Sequence, residues 1–218
     1  MEIKVTLCDK NKQVVEAWTN RFLKNPEVEI VEGDIFDRET DTVVIPGNSF
    51  GYLDRGIELQ AGELFGFELQ DLLREKIRSE YNGELLVGQG FLVPCSELSP
   101  GKGSCSYLAY VSATRTPGDL TGSLNSYLAA RGAFMALAEA PTGSIDSIAF
   151  PGIGTGSSGI APEICARQMR YAYTVASGQR GYGDKSLTQL TRRDKKLRRM
   201  PKPPAEETAQ GENEANPG

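Results

Sequence analysis

The residues best suited to hold a ligand form a loop of Gly, Ser and Thr between a predicted strand and a predicted helix. The apolar run 148–150 precedes this loop, and a helical pattern opens at Pro162 after it. Backbone N–H groups at such a helix start lack partners and attract anions, and glycine lets a ligand approach closely. The segment therefore predicts a phosphate-binding site, most simply for a diphosphate. The alternative is that the loop only connects the strand to the helix. The predicted binding residues here are Gly154, Thr155, Gly156, Ser157 and Ser158.

The common nucleotide motifs do not fit this loop. No lysine follows its glycines, which disfavours a Walker-type NTPase. The glycines at positions 152, 154 and 156 miss the G-x-G-x-x-G spacing of dinucleotide-binding folds, and they lie late in the chain. A second feature must therefore decide what the loop binds.

The composition limits the chemistry available. The 218 residues include no histidine and four cysteines without a C-x-x-C pair, which excludes Ser-His-Asp and Cys-His catalysis and disfavours zinc sites. We expect no metal and no cofactor, so any reaction must use carboxylates, amides, hydroxyls or the substrate's own groups. The cysteines suggest reduced thiols in an intracellular protein, cytoplasmic or nuclear. No apolar run approaches the ~20 residues of a membrane span.

Short apolar strands alternate with amphipathic helices along the chain. This alternation predicts an α/β fold of three layers, α/β/α, whose mixed, mainly parallel central sheet is covered by helices on both faces. We predict strands at 3–7, 28–31, 42–45, 85–93, 106–113 and 144–150, and helices at 10–24, 62–81, 122–140 and 162–177.

The charge distribution divides the chain in two. We predict a domain over residues 1–178 and a charged, largely disordered tail over 179–218. The tail carries a basic run at 192–199, which is open to three interpretations: a nuclear-import signal, an RNA contact or a solvated helix end. The domain itself is acidic, so we expect nucleic acid to bind only through the tail.

A second group of polar residues follows two earlier strands. Gly33, Asp34 and Ile35 form a turn after one strand, and the loop 46–58 follows the next. Ligands of open α/β sheets bind outside the carboxyl ends of the strands. We therefore expect both segments to meet the Gly-rich loop at one edge of the sheet.

These three segments, in this order and at these separations, resemble the macro domain, the α/β module that binds ADP-ribose. The G-D-I turn of that family matches residues 33–35, its N-A-A-N loop matches 45–48 in altered form, and its G-x-G-T-G loop matches 152–156. The resemblance covers roughly residues 1–178. It implies a macro-domain-like fold, ADP-ribose or ADP-ribosylated proteins as partners, and a monomer.

The resemblance also implies a role for each residue. Asp34 would accept a hydrogen bond from the adenine amine, with Ile35 against the ring; Asp34 could instead be a helix N-cap. Asn48 would bond the distal ribose, or could be only a turn residue. The loop amides from Gly154 to Ser158 would hold the diphosphate, with Gly56 and Ile57 closing over it.

The chain departs from the family at the ribose. Many members place an aromatic residue where this chain has Ser158, and we consider Phe50 or Tyr52 as a replacement from the opposite loop. The first Asn of N-A-A-N is Ile45 here, and Asp54 and Arg55 replace two usual glycines. We expect Arg55 to pair either with a phosphate or with a surface carboxylate.

Glu58 raises the question of catalysis. It follows Gly56 and Ile57 at the position of an acidic residue in MacroD-type hydrolases, which the chain loosely resembles. Glu58 or Asp54 could position water for removal of ADP-ribose from a protein, or Glu58 could simply favour the helix start. A poly-ADP-ribose glycohydrolase would have adjacent glutamates, whereas Glu58 and Glu63 are separated.

Three alternatives remain for the function of the chain: an ADP-ribosyl hydrolase, a non-catalytic reader of ADP-ribose or a related nucleotide, and an RNA-associated macro-like module.

Overall fold

A six-stranded sheet forms the centre of the protein in this computed structural model, which describes residues 3–98, 105–179 and 185–200. The strand order is β2-β1-β6-β3-β5-β4. All neighbours are parallel except β4, which runs antiparallel to β5 at one edge. The mixed, mainly parallel sheet is therefore confirmed. The strands are β1 (Lys4–Asp9), β2 (Glu29–Glu32), β3 (Thr42–Asn48), β4 (Gly90–Pro94), β5 (Tyr107–Thr114) and β6 (Ser147–Phe150).

Helices cover both faces of this sheet. One face packs against α1, α4 and α5 in a core that includes Trp18, Phe134 and Phe150. The other face packs against α2 and α3 in a core that includes Phe65 and Phe91. The three-layer α/β/α arrangement is thus confirmed. The helices are α1 (Lys12–Arg21), α2 (Gly56–Phe65), α3 (Glu68–Glu80), α4 (Asn125–Ala136), α5 (Pro162–Ala176) and α6 (Leu187–Arg198). No helix within the described ranges is long and apolar enough to cross a membrane.

The helix predicted over 62–81 is wrong as a single element, because α2 and α3 meet at Gly66. This residue adopts a φ of +94°, which glycine tolerates far better than other residues, and α2 begins six residues earlier than predicted. The predicted strand 85–93 is also too long. Leu85 instead donates its backbone N–H to Ser49 O at 2.9 Å, and β4 starts only at Gly90.

Part of the predicted tail is an ordered helix. Helix α6 packs on α5 and buries Leu197, while Gln168 Nε2 of α5 donates to Leu197 O at 3.3 Å. The Ser186 side chain and Gln189 form a capping box at the start of α6. The basic run 192–199 therefore lies largely on a packed helix, and residues 201–218 lie outside the described part of the chain.

Candidate functional site

A cleft of about 310 Å³ opens at the carboxyl edge of the sheet, where β1, β3 and β6 end. Parallel strands bring their following loops together at such an edge, so three segments distant in the sequence meet there. All ten predicted ligand-binding residues and Glu58 line this cleft: Asp34, Ile35, Asn48, Gly56, Ile57, Glu58, Gly154, Thr155, Gly156, Ser157 and Ser158.

The Gly-rich loop presents unused backbone donors to the cleft. The N–H groups from Gly154 to Ser158 donate no hydrogen bond to any residue in the described part of the chain. The loop is closed by other groups: Ile160 N donates to Gly154 O at 2.9 Å and Gly159 N to Gly156 O at 3.1 Å. Gly154 has a φ of +78°, and a Cβ there would lie 2.7 Å from Ile160. Glycine at this position therefore keeps the donors in place.

Asp9 anchors the same loop from the end of β1, a contact that the sequence reading missed. Its Oδ2 accepts from Gly152 N at 2.9 Å, and its Oδ1 accepts from Asn11 N at 2.7 Å. An ionised acceptor makes such hydrogen bonds stronger. A lone Asp after the first strand gives no sequence signal for a partner 143 residues away.

Asp34 is a helix N-cap and also borders the cleft, while its contact with adenine stays a prediction. It is the N-cap of a short 3-10 helix, with Oδ1 accepting from Phe36 N at 3.0 Å. It also borders the cleft, where Oδ2 accepts from Gln60 Nε2 at 2.7 Å and pairs with Lys10 Nζ at 2.7 Å. Burial raises its pKa, but the hydrogen bonds from Lys10, Phe36 N and Gln60 outweigh this and lower it overall. Neither Lys10 nor Gln60 was predicted from the sequence, although both line the cleft.

The start of α2 contributes further backbone donors. Gly56 opens the helix with a φ of +53°, and its N-cap residue, Arg55, makes no side-chain cap hydrogen bond. The first N–H groups of a helix have no intrahelical acceptor, and they carry the positive end of the helix dipole. Gly56 and Ile57 thus add an anion-attracting element to the cleft.

Asn48 uses its side chain to hold the loop and Glu58. Its Nδ2 donates to Tyr52 O at 2.7 Å and to Glu58 Oε1 at 3.0 Å. Its Oδ1 accepts from Phe50 N at 3.1 Å and Tyr52 N at 3.3 Å. These bonds occupy both amide hydrogens, so a ribose hydroxyl would have to displace one of them. The structure therefore favours a positioning role for Asn48 over the predicted ribose contact.

Glu58 is a buried carboxyl group on the first turn of α2, only 8% exposed. Its Oε1 accepts from Asn48 N at 3.1 Å as well as from Asn48 Nδ2, whereas Oε2 receives no hydrogen bond from a described residue. Burial raises its pKa to about 8, partly offset by the hydrogen bonds from Asn48. A carboxyl group that titrates near neutral pH beside a cleft is suited to proton transfer.

The other candidate acid and the two candidate aromatic residues lie elsewhere. Asp54 does not line the cleft and instead pairs with Arg55, with Oδ2 3.1 Å from Nη2. Arg55 therefore pairs with a surface carboxylate here, but it also lines the cleft, and its pairing with a phosphate stays a prediction. Phe50 and Tyr52 also lie outside the cleft lining and pack against arginine guanidinium groups. The predicted catalytic role of Asp54 and the predicted ring contact of Phe50 or Tyr52 thus gain no support.

Ser158 lines the cleft together with Thr114 and Pro117, and Leu120 N donates to Ser158 O at 2.8 Å. No aromatic side chain lines the cleft within the described ranges. The missing aromatic cover inferred at Ser158 is therefore not supplied by another described residue.

Comparisons with known proteins bear on the fold of the chain. No family model matches the chain. An uncharacterized protein of Saccharolobus solfataricus is 29% identical over 170 residues, which span 77% of this chain and 86% of that protein.

Three solved structures are similar in fold. The macrodomain of Mycobacterium tuberculosis DarG has a TM-score of 0.50 and 21% identity, covering 67% of this chain and 87% of its own. A mutant Oceanobacillus iheyensis macrodomain with ADPR has a TM-score of 0.52 and 21% identity, covering 65% and 73%. Thermosipho africanus DarTG in complex with ADP-ribose has a TM-score of 0.52 and 17% identity, covering 66% and 38%. The chain has the macrodomain fold.

Proposed function

We propose that the cleft binds ADP-ribose, free or attached to a protein. The observation that carries this proposal is the row of unused N–H groups from Gly154 to Ser158, which lies in one cleft with the start of α2. Two sets of uncharged donors suit the two phosphates of a diphosphate. A Walker-type site would need a lysine, which this loop lacks.

The remaining parts of the cleft suit the rest of the ligand. Asp34 and Ile35 lie at the end of β2, where an acceptor beside an apolar side chain suits an adenine ring. The side near Ser158 would receive the distal ribose without aromatic cover. The O. iheyensis structure with ADPR and the T. africanus complex with ADP-ribose support this choice of ligand.

Calorimetry with ADP-ribose, ADP and AMP tests the proposal. We expect ADP-ribose to bind and Gly156→Val to weaken it by about tenfold to a hundredfold, because a side chain there would occupy ligand space. A Cβ at Gly156 meets nothing within 4 Å, so the fold should tolerate the change.

Gly118→Val is the matched control. A Cβ at Gly118 meets only Thr116 O, at an ordinary contact distance of 3.9 Å, and Gly118 does not line the cleft. Equal loss of ADP-ribose binding in both variants, or no binding by the wild type at millimolar ligand, would contradict the proposal. ADP binding as tight as ADP-ribose would show that the distal ribose is not recognised.

A second candidate function, hydrolysis of the ADP-ribosyl linkage, is favoured by Glu58. We propose that ionised Glu58 orients a water molecule whose oxygen attacks the anomeric carbon of the distal ribose. The bond from that carbon to the protein's carboxylate oxygen breaks, the carboxylate leaves, and the water's proton passes to Glu58. Because the pKa of Glu58 is about 8, turnover should rise with pH and level off above that value.

Glu58→Gln separates an enzyme from a reader. With a protein mono-ADP-ribosylated on carboxylates as substrate, we expect turnover to fall about a hundredfold or more while ADP-ribose affinity is retained. Glu63→Gln is the control, since Glu63 is exposed on the same helix. Absence of turnover in the wild type, with ADP-ribose binding intact, would leave the reader function.

The four cysteines are free thiols, and we propose on that basis an intracellular protein.

A further inference from the structure

A second cavity, of about 260 Å³, lies between α1, α5 and α6 and shares no lining residue with the cleft. We call it the arginine pocket, because four arginines and a lysine line it. Arg21 ends α1, Arg167 and Arg170 lie on α5, and Arg193 and Lys196 lie on α6. The pocket exists only because α6 packs on α5.

The charges of the arginine pocket are not balanced by carboxylates. No Asp or Glu lines it, and none of its five cations forms an ion pair within the described part of the chain. The acid nearest in sequence, Asp194, pairs with Arg198 instead. This concentration of positive charge stands out in a chain whose net charge is −5.

Arg167 is the buried member of the group, only 9% exposed. Its Nη1 donates to Lys196 O at 2.6 Å and also to Arg199 O, but its Nε has no partner among the described residues. Arg193 packs over the Tyr171 ring, and its buried Nη1 likewise has no partner in the described part of the chain. Buried donors are nearly always satisfied, so these two donors favour binding of an acceptor.

The electrostatics of the arginine pocket favour binding of an anion. Burial lowers the pKa of Arg21, and the charges of Arg167 and Arg170 lower it further; burial also lowers the pKa of Arg167. Like charges held together are unfavourable, and an anion between them removes that repulsion.

We propose that the arginine pocket binds a phosphate group. Planar guanidinium groups match phosphate oxygens bidentately. The phosphate can be a free ion or a phosphodiester of an oligonucleotide. An adjoining groove favours the oligonucleotide, because it shares Arg193 and Lys196 and continues along α6 past Arg192.

The test is carried out on the full chain carrying Gly156→Val, which weakens phosphate binding at the cleft, so that the comparison of pocket variants reports on the arginine pocket. Titration with inorganic phosphate, and separately with an eight-nucleotide oligouridylate, is followed by calorimetry at constant ionic strength. We expect binding, and a loss of about tenfold or more in affinity in the double variant Arg170→Gln/Lys196→Gln.

Arg131→Gln/Lys195→Gln is the matched control, since it removes the same charge from residues outside the arginine pocket. Binding of the oligouridylate alone assigns the phosphodiester as the source, and binding of phosphate shows that the free ion suffices. Binding of neither probe, or equal loss in both double variants, would overturn the proposal. This test does not depend on whether the cleft binds ADP-ribose.

Discussion

The cleft and the arginine pocket are two ways of building a phosphate site in one chain. The cleft presents uncharged N–H groups from Gly154 to Ser158 and from the start of α2. Its lining also includes the acids Asp34 and Glu58, and its cations Lys10 and Arg55 are paired with carboxylates. The arginine pocket uses side-chain cations and has no acid in its lining. Backbone donors are fixed by the fold and select a ligand by shape, whereas clustered cations select mainly by charge.

The largest expected effect concerns Glu58, the buried acid of the cleft. The pKa of Glu58 is raised from 4.5 to about 8, so the folded state holds a proton that the unfolded state loses between these values. The free energy of unfolding should therefore fall as pH rises from about 4.5 to about 8, by about 3–5 kcal/mol at ~1.4 kcal/mol per pKa unit. Glu58→Gln should remove this decline. Denaturant unfolding at several pH values measures this decline. If the free energy of unfolding changed with pH equally in the wild type and in Glu58→Gln, the raised pKa would not belong to Glu58.

The next effect tests whether the fold fixes the cleft's donors. Gly154→Ala should lower the free energy of unfolding by about 2–4 kcal/mol, because it places a Cβ at positive φ and against Ile160. Gly156→Ala should be nearly neutral, since its Cβ has open space and its φ is not positive. Urea unfolding of the pair measures the difference, and equal destabilisation would show that Gly154 has no special role.

The packing of α6, which forms one wall of the arginine pocket, should depend on the buried side chain of Arg167. Arg167→Gln should lower the free energy of opening of α6 by about 2 kcal/mol, because it removes charged hydrogen bonds to Lys196 O and Arg199 O. Amide hydrogen exchange within α6 measures this opening. Arg170→Gln is the control, because Arg170 Nε donates to Asn25 Oδ1 and makes no hydrogen bond to α6 within the described part of the chain. Unchanged protection in Arg167→Gln would mean that apolar packing alone attaches the helix.

The smallest effect is the salt dependence of the two sites. Raising NaCl from about 50 to about 200 mM should weaken oligouridylate binding at the arginine pocket by about tenfold, since several cations contact phosphates. ADP-ribose binding at the cleft should change by less than about threefold, because backbone donors release few counterions. Calorimetry of both ligands at the two NaCl concentrations measures these changes in affinity. An equal loss of affinity for both ligands would mean that the two sites do not differ in how they hold phosphate.

Much of the fold and of the cleft could be predicted from sequence patterns. Alternating apolar periods predicted the layers, and three short motifs predicted the lining of one cleft, because strand ends must meet at one edge of a parallel sheet. The break at Gly66 was missed, since the apolar spacing continues through it. Lys10 and Gln60 were missed because each reaches Asp34 from another element, and neither has a motif.

The sequence by itself determined what the local backbone can do, because glycines and small residues in the 152–159 loop leave donors unpaired. The absence of histidine limits any reaction to carboxylates, amides, hydroxyls or the substrate's own groups. The tertiary structure alone decided the environment of each charge. It buried Glu58 against Asn48, left Asp54 outside the cleft and paired with Arg55, and made part of a basic run one wall of the arginine pocket. The burial and the charges around each group depend on how separate elements pack, so no local pattern encodes them.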